Sequence, residues 1–275
     1  MPPDSNVEES ENKKQKLQKW LDQNQYTRRG ILRYERIFGT TYVSVGGETT
    51  TRMFTEKLGL QPEMKVLDIG CGIGGSAFYM AKRFGVDVHG IDLSTNMIGI
   101  AQDYRSELEP MVKHRVQFYV DDATSMGYPD SFYNVVYSRD TILHIKDKLG
   151  LFNRFYKTLK PGGKVLITDY CRGDQEHSER FLEYVKSRDY DLHTVQAYGS
   201  ILEKAGFTNV EAVDVTGLMI EMLVAELAKF SNMKDRFIEE FCEDDYTYIK
   251  QGWEEKVERC KEGDQAWGLF TAVKM

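Results

Sequence analysis

Lys65-Val66-Leu67-Asp68-Ile69-Gly70-Cys71-Gly72-Ile73-Gly74-Gly75 reads as a short buried strand that runs into a glycine-rich turn and then a helix. Glycines at such a turn let the backbone approach a bound molecule closely. Beyond it the chain keeps alternating short β-branched or apolar runs with helical segments. Strands are expected at 65–69, 86–91, 115–120, 133–138 and 164–169, with helices near 75–84, 95–105 and 146–159. That alternation predicts a parallel sheet covered by helices on both faces, an open α/β, Rossmann-like fold. After Tyr170 the regularity breaks. Helices expected at 176–188 and from Thr194, a good N-cap, to Ala205 look like an insertion over the strand ends. Runs at 210–215 and 269–274 complete a seven-stranded, mostly parallel sheet, and about 50 mostly helical residues separate them. Upstream, the helical stretches Leu32 to Phe38 and Thr49 to Leu58 flank the irregular run Gly39 to Gly47. The expected organisation is a disordered tail at 1–12 and a single domain over 13–275. That domain comprises a helical cap (13–60), a cofactor-binding core (61–170) and a lid and substrate region (171–264), with the last strand following.

Composition narrows the partners. A net charge of -7 removes the broad basic footprint that a nucleic acid backbone requires. Cys71, Cys171, Cys242 and Cys260 are scattered, without the CxxC or Cys/His spacing of a zinc site, so reduced thiols, no metal and a cytoplasmic location are expected. The amino terminus, MPPDSNVEESENKKQKL, lacks the apolar core of a signal peptide, and no run approaches a membrane span. A monomer is expected.

Gly70, Gly72 and Gly75 satisfy GxGxxG, which a nicotinamide-dependent oxidoreductase would share. The neighbours separate the two readings. Asp68, two residues before Gly70, sets a carboxylate towards the methionine ammonium of S-adenosyl-L-methionine, where a dinucleotide's pyrophosphate would be repelled. Asp92 ends the second strand, suitably placed for both ribose hydroxyls. Asp122, in Asp121-Asp122-Ala123 after the third strand, is placed for the adenine amino group, although either acid alone would serve equally as a solvated strand end. Leu159-Lys160-Pro161-Gly162-Gly163-Lys164 then turns into the fifth strand, an arrangement that resembles class I S-adenosylmethionine-dependent methyltransferases.

Three further stretches point to the acceptor. They are Asn24-Gln25-Tyr26-Thr27 with Tyr34 and Tyr42 to Gly47, then Tyr137 to His144, then Thr168-Asp169-Tyr170-Cys171. The last two lie at strand carboxyl ends, where open α/β sheets bind ligands. Tyr184-Val185-Lys186-Ser187-Arg188-Asp189-Tyr190 and Gly252-Trp253-Glu254-Glu255-Lys256 add cations and phenols. At these places, from about Asn24 to Lys274, the chain resembles the phosphoethanolamine N-methyltransferases of nematodes, plants and the malaria parasite. The resemblance implies that Tyr26 and His144 form a catalytic pair with Asp140 near the amine, and that Tyr170, Tyr184, Arg188, Tyr190 and Lys256 hold the phosphate. It places cofactor contacts at Tyr34, Val43, Ser44, Asp68, Gly70, Asp92, Leu93, Asp122, Ala123 and Arg139. It also implies release of S-adenosyl-L-homocysteine at each methylation towards phosphocholine, and its nematode likeness points to the later steps.

Chemistry supports these roles independently. A phosphomonoester carries about two negative charges near neutral pH and calls for Arg, Lys and phenolic donors. Methyl transfer needs alignment, exclusion of water and a nitrogen lone pair, so an ammonium acceptor must first lose a proton. His144 with Tyr26, or Asp140, is the expected base, and an imidazole of ordinary pKa, about 6.5, would set an acid limb near pH 6 to 7. Without the resemblance, His144 reads as a structural hydrogen-bonder, Tyr184 and Tyr190 as packing, and Arg188 and Lys256 as helix-surface charges; Trp253 and Trp267 read as packing residues in any case. A methyltransferase for another small molecule and a silent cofactor-binding module remain alternatives.

Overall fold

The computed structural model describes residues 15–275 apart from 126, so the expected tail at 1–12 and the start of order near 13 lie outside the described residues. Seven strands form one sheet in the order β3-β2-β1-β4-β5-β7-β6. They are β1 (Lys65–Ile69), β2 (Asp87–Asp92), β3 (Val116–Val120), β4 (Tyr133–Arg139), β5 (Leu159–Arg172), β6 (Thr208–Asp214) and β7 (Gln265–Val273). β1 to β5 pair in parallel, and β7 runs antiparallel between β5 and β6. All seven expected strands are present. β5 is longer than expected at both ends, because Leu159 already pairs with Tyr133 of β4 ahead of a register shift, and Tyr170 to Arg172 continue to pair with β7.

The inner strands β1, β4, β5 and β7 are mostly buried runs because both sheet faces are covered there, whereas the edge strands β3 and β6 are partly or largely exposed. Val66, Val88, Val116, Val135 and Leu166 face one side, and Leu67, Ile91, Val136, Val165 and Ile167 face the other. Helices α1 (Arg28–Phe38), α2 (Gly47–Thr55) and α3 (Gly75–Phe84) precede or follow β1. Next come α4 (Thr95–Glu107), α5 (Pro110–Lys113), α6 (Lys148–Thr158), α7 (Glu179–Ser187) and α8 (Val195–Lys204). The stretch between β6 and β7 folds into α9 (Thr216–Asn232), α10 (Lys234–Glu240) and α11 (Glu243–Lys261).

Helix starts follow local chemistry. The side chains of Thr27, Ser94, Asp147, Ser178 and Thr194 each accept a hydrogen bond from a backbone amide three residues on. A cap of this kind is worth about 1 kcal/mol. These caps explain why α6 and α7 begin at Lys148 and Glu179, two to three residues later than periodicity alone suggests.

The cap and the lid are joined to each other and to the sheet's carboxyl edge. Arg29 and Arg33 of α1 pair with Asp245 of α11, and Arg36 pairs with Glu240 of α10 at 2.6 Å. Upstream of α1, Asp22 accepts from Ser94 Oγ at 2.5 Å and from Thr95 at the start of α4, while Asn96 donates to the carbonyl of Tyr26 at 2.8 Å. Residues 15–26 thus lie across the crevice beside Asp92, held by the amino end of α4.

Candidate active site

At the turn after β1, Gly70 and Gly72 adopt positive φ of 68° and 54°. A side chain at Gly70 would strike Thr141, and one at Gly72 would approach Val43 Cγ2 to 2.9 Å. Only glycine leaves this cradle open. Asp68 is 2% exposed, and its Oδ2 has no hydrogen-bond partner. Burial raises its pKa to about 7, against the nearby Arg139 charge. A buried carboxylate with a free oxygen fits a cationic ligand group. Asp92 accepts from the amides of Gly72 at 3.1 Å and Ser94 at 2.9 Å, one on each oxygen, and burial raises its pKa to about 6 despite those bonds. Each oxygen keeps a lone pair, so the carboxylate fits a pair of vicinal hydroxyls.

Asp122 lies at the β3 end, where its Oδ1 accepts from the amide and hydroxyl of Thr124, with Ala123 packed towards the second core face. The carbonyl of Leu93 accepts from Gln18, and Tyr34 stacks on Trp253 with ring centroids 5.8 Å apart. Val43 and Ser44 sit in the irregular run before α2. Arg139 supports that run: its guanidinium, 6% exposed, donates to Val45 O at 2.7 Å and Thr51 Oγ1 at 3.0 Å. Its observed role is to hold the loop.

Across the crevice, the Tyr26 hydroxyl lies 3.3 Å from His144 Nε2. Gln25 donates to the same phenol oxygen, also at 3.3 Å, which leaves the phenol hydrogen for the imidazole. Burial and the Asp92 charge raise the Tyr26 pKa, so the phenol stays protonated. His144 departs from the ordinary imidazole expected from sequence. Burial, then the charges of Lys148 and Arg188, press its pKa down to about 4, against Asp189. Asp140 has φ 51°, and its Oδ1 accepts from Trp267 Nε1 at 2.7 Å and Thr168 Oγ1 at 3.1 Å. Its Oδ2 is buried without a partner, and burial raises its pKa.

The basic end of the site combines two arms. Lys256 on α11 donates to the Tyr170 hydroxyl at 3.1 Å and sits over the rings of Tyr170 and Trp253 at 5.1 and 5.0 Å. Burial lowers its pKa to about 8, against the carboxylate of Glu226. On the other arm, Tyr184 of α7 meets Tyr190 edge-on at 5.8 Å, and Tyr190 meets His144 at 5.1 Å. Arg188 caps α7 at an exposed position, where the phenols of Tyr190, Tyr248, Tyr184 and Tyr34 raise its pKa against burial.

Sequence reasoning missed several supports. Trp267, read as packing, does pack, and also orients Asp140. Trp253 donates at 2.9 Å to Glu226, which also accepts from the Gly46 amide at 2.7 Å. Arg259 is 5% exposed and lies 3.9 Å from the Tyr184 ring centroid. Lys148 is 2% exposed. A long cationic side chain on an ordinary helix carries no local signal that it is buried.

A protein-family profile described as a methyltransferase domain matches residues 46–212. A maize relative, phosphoethanolamine N-methyltransferase 1, is 54% identical over 94% of this chain and 51% of its own length. The chain thus spans about half the length of the plant relative. The solved structure of Haemonchus contortus phosphoethanolamine N-methyltransferase 2, in complex with phosphomonomethylethanolamine and S-adenosylhomocysteine, aligns with a TM-score of 0.90 at 38% identity, covering 94% of this chain and 59% of that one. The Plasmodium falciparum phosphoethanolamine N-methyltransferase is 36% identical over 93% of this chain and 95% of its own length. With nearly the whole of both chains aligned at that identity, this chain belongs to the phosphoethanolamine N-methyltransferase family.

Proposed function

We propose that this chain transfers a methyl group from S-adenosylmethionine to the nitrogen of a phosphorylated ethanolamine, towards phosphocholine. The observation that carries this reading is Lys256: a half-buried residue with a desolvated ammonium whose hydrogen-bond partner is a phenol and which has no carboxylate within ion-pair distance among the described residues. A desolvated cation left this way favours an anionic ligand, and Tyr170, Tyr184, Tyr190 and Arg188 supply the further donors that a phosphate takes.

Bound S-adenosylmethionine supplies a methyl group on a sulfonium sulfur. Asp68 and Asp92 would hold its ammonium and ribose, the glycine turn would admit its backbone contacts, and Asp122 would lie at the adenine end. On the acceptor side, Asp140 Oδ2, buried and without a partner, would hold the ammonium. Tyr26 takes the acceptor's proton on its oxygen as its own hydrogen passes to His144 Nε2. Both residues are then restored when the imidazole releases the proton to solvent. Residues 15–26 exclude water from this transfer.

For the individual steps we propose the mono- and dimethylated forms as acceptors, the class represented by the ligand of the Haemonchus relative; the higher identity to the maize protein does not by itself favour one step. No helix among the described residues is long and apolar enough to cross a membrane, and the four free cysteines suit the cytosol.

Calorimetry on the protein saturated with S-adenosylhomocysteine tests the reading. Phosphoethanolamine and its methylated forms should bind at least about 100-fold more tightly than ethanolamine, which lacks the charge-assisted phosphate bonds. Equal affinities would leave Lys256 without its assigned ligand.

A further inference from the structure

Lys148 is the first residue of α6, where a cation meets the positive end of the helix dipole, and it is also buried. Both placements are unfavourable for an ammonium, so its partners must compensate. It donates to Ile145 O at 2.8 Å, Asp191 O at 2.8 Å and Asp191 Oδ2 at 2.9 Å, using all three N–H groups. Ile145 follows His144 in the chain, and Asp191 follows Tyr190. The Asp191 amide adds a bond to Leu143 O at 2.8 Å, so the two segments are joined on both sides of His144.

We propose that Lys148 is a positioning residue for methyl transfer, stapling the turn that carries His144 to the loop that carries Arg188 and Tyr190. The inference rests on the reading of His144 as proton acceptor given above. The staple holds the imidazole edge-on to Tyr190 and within reach of Tyr26, so the base and the phosphate-binding phenols move as one body. It also brings a fixed positive charge to the base. The groups facing His144 are Lys148 from α6, Arg188 from the end of α7, Asp189 and Tyr190 from the following loop, and Tyr26 from the amino-terminal segment. Asp189 is paired with Lys146 at 2.8 Å. Asp191, which also contacts His193 at 3.1 Å, is held below the usual carboxylate range by Lys148 against its burial.

Three variants test the proposal: Lys148→Met, Lys148→Arg and the double variant Lys148→Met/Asp191→Leu. The double variant removes the pair without leaving a buried charge, and covers the case in which Lys148→Met alone does not fold. Lys148→Met should lower kcat by about 10- to 100-fold through misalignment and raise KM for the phosphobase, with S-adenosylmethionine affinity unchanged. The imidazole carbon of His144, followed by NMR in 13C-histidine-labelled protein and assigned with His144→Ala, should titrate about one pH unit higher once the nearby cation is gone. The double variant should show the same shift. Lys148→Arg keeps the charge, so it should hold the His144 titration near wild type and recover part of the lost kcat. Wild-type kcat with an unmoved His144 titration in Lys148→Met or in the double variant would overturn the proposal. Equal shifts in the Met and Arg variants would do the same, since simple loosening moves both alike. A His144 signal that moves as expected while the acid limb of kcat/KM stays fixed would support the staple and overturn His144 as the base.

Discussion

His144→Ala and Tyr26→Phe are each expected to lower turnover by about 10²- to 10⁴-fold, the range for loss of a positioned acid or base. S-adenosylmethionine affinity should change little, because neither side chain belongs to the glycine turn or to the acids beside it. The hydroxyl and Nε2 are 3.3 Å apart, so each residue is the other's route for the proton. The double variant should therefore lose much less than the product of the single losses. Multiplicative losses would show two separate roles. The pH profile provides a second check. Because burial and the charges of Lys148 and Arg188 keep the free imidazole near pKa 4, the acid limb that His144 contributes to kcat/KM for the phosphobase, measured at saturating S-adenosylmethionine, falls near pH 4. A bound phosphate dianion offsets those cations, so the limb on kcat should lie at higher pH than the limb on kcat/KM. Full turnover and an unchanged acid limb in His144→Ala would transfer the base role to Asp140, whose Oδ2 is buried and free.

Lys256→Ala and Arg188→Ala should act on the phosphobase and spare the cofactor. A charge-assisted hydrogen bond is worth about 1.5–3 kcal/mol, which corresponds to a KM rise of about 10- to 150-fold for the phosphobase with kcat less affected. Lys256→Ala should have the larger effect. Lys256 is half-buried, with its ammonium over two rings and fixed on Tyr170, whereas Arg188 is exposed and screened by water. Steady-state kinetics varying each substrate in turn separate the cases. Wild-type constants in both variants would place the phosphate elsewhere.

The periodicity of the sequence carries most of the sheet, since parallel strands buried on both faces leave continuous apolar runs bounded by turn residues. The boundaries of α6 and α7 were less legible, because Asp147 and Ser178 decide where those helices start and a capping oxygen leaves no periodic trace. In the site, Asp68, Gly70 and Asp92 were readable from spacing around one turn. His144, Arg188 and Lys256 were readable as chemistry only through the family resemblance, since each is an ordinary residue until the fold brings it to a strand end. The supports were least legible. Trp267 reaches Asp140 only because β7 pairs antiparallel with β5, and Glu226 meets Gly46 and Trp253 from three separate parts of the chain. The pKa of His144 depends on burial and on Lys148 and Arg188 brought in by tertiary packing, so sequence alone gives the unperturbed value.

We propose that this chain methylates the nitrogen of a phosphorylated ethanolamine. The most direct test is transfer of a radiolabelled methyl group from S-adenosylmethionine by the purified chain, with ethanolamine, phosphoethanolamine and the mono- and dimethylated phosphobases offered separately. Labelled product is expected from at least one phosphobase, with the mono- and dimethylated forms preferred and ethanolamine left unlabelled. Label transferred to ethanolamine as readily as to the phosphobases, or to none of the four by folded protein that binds S-adenosylmethionine, would contradict it.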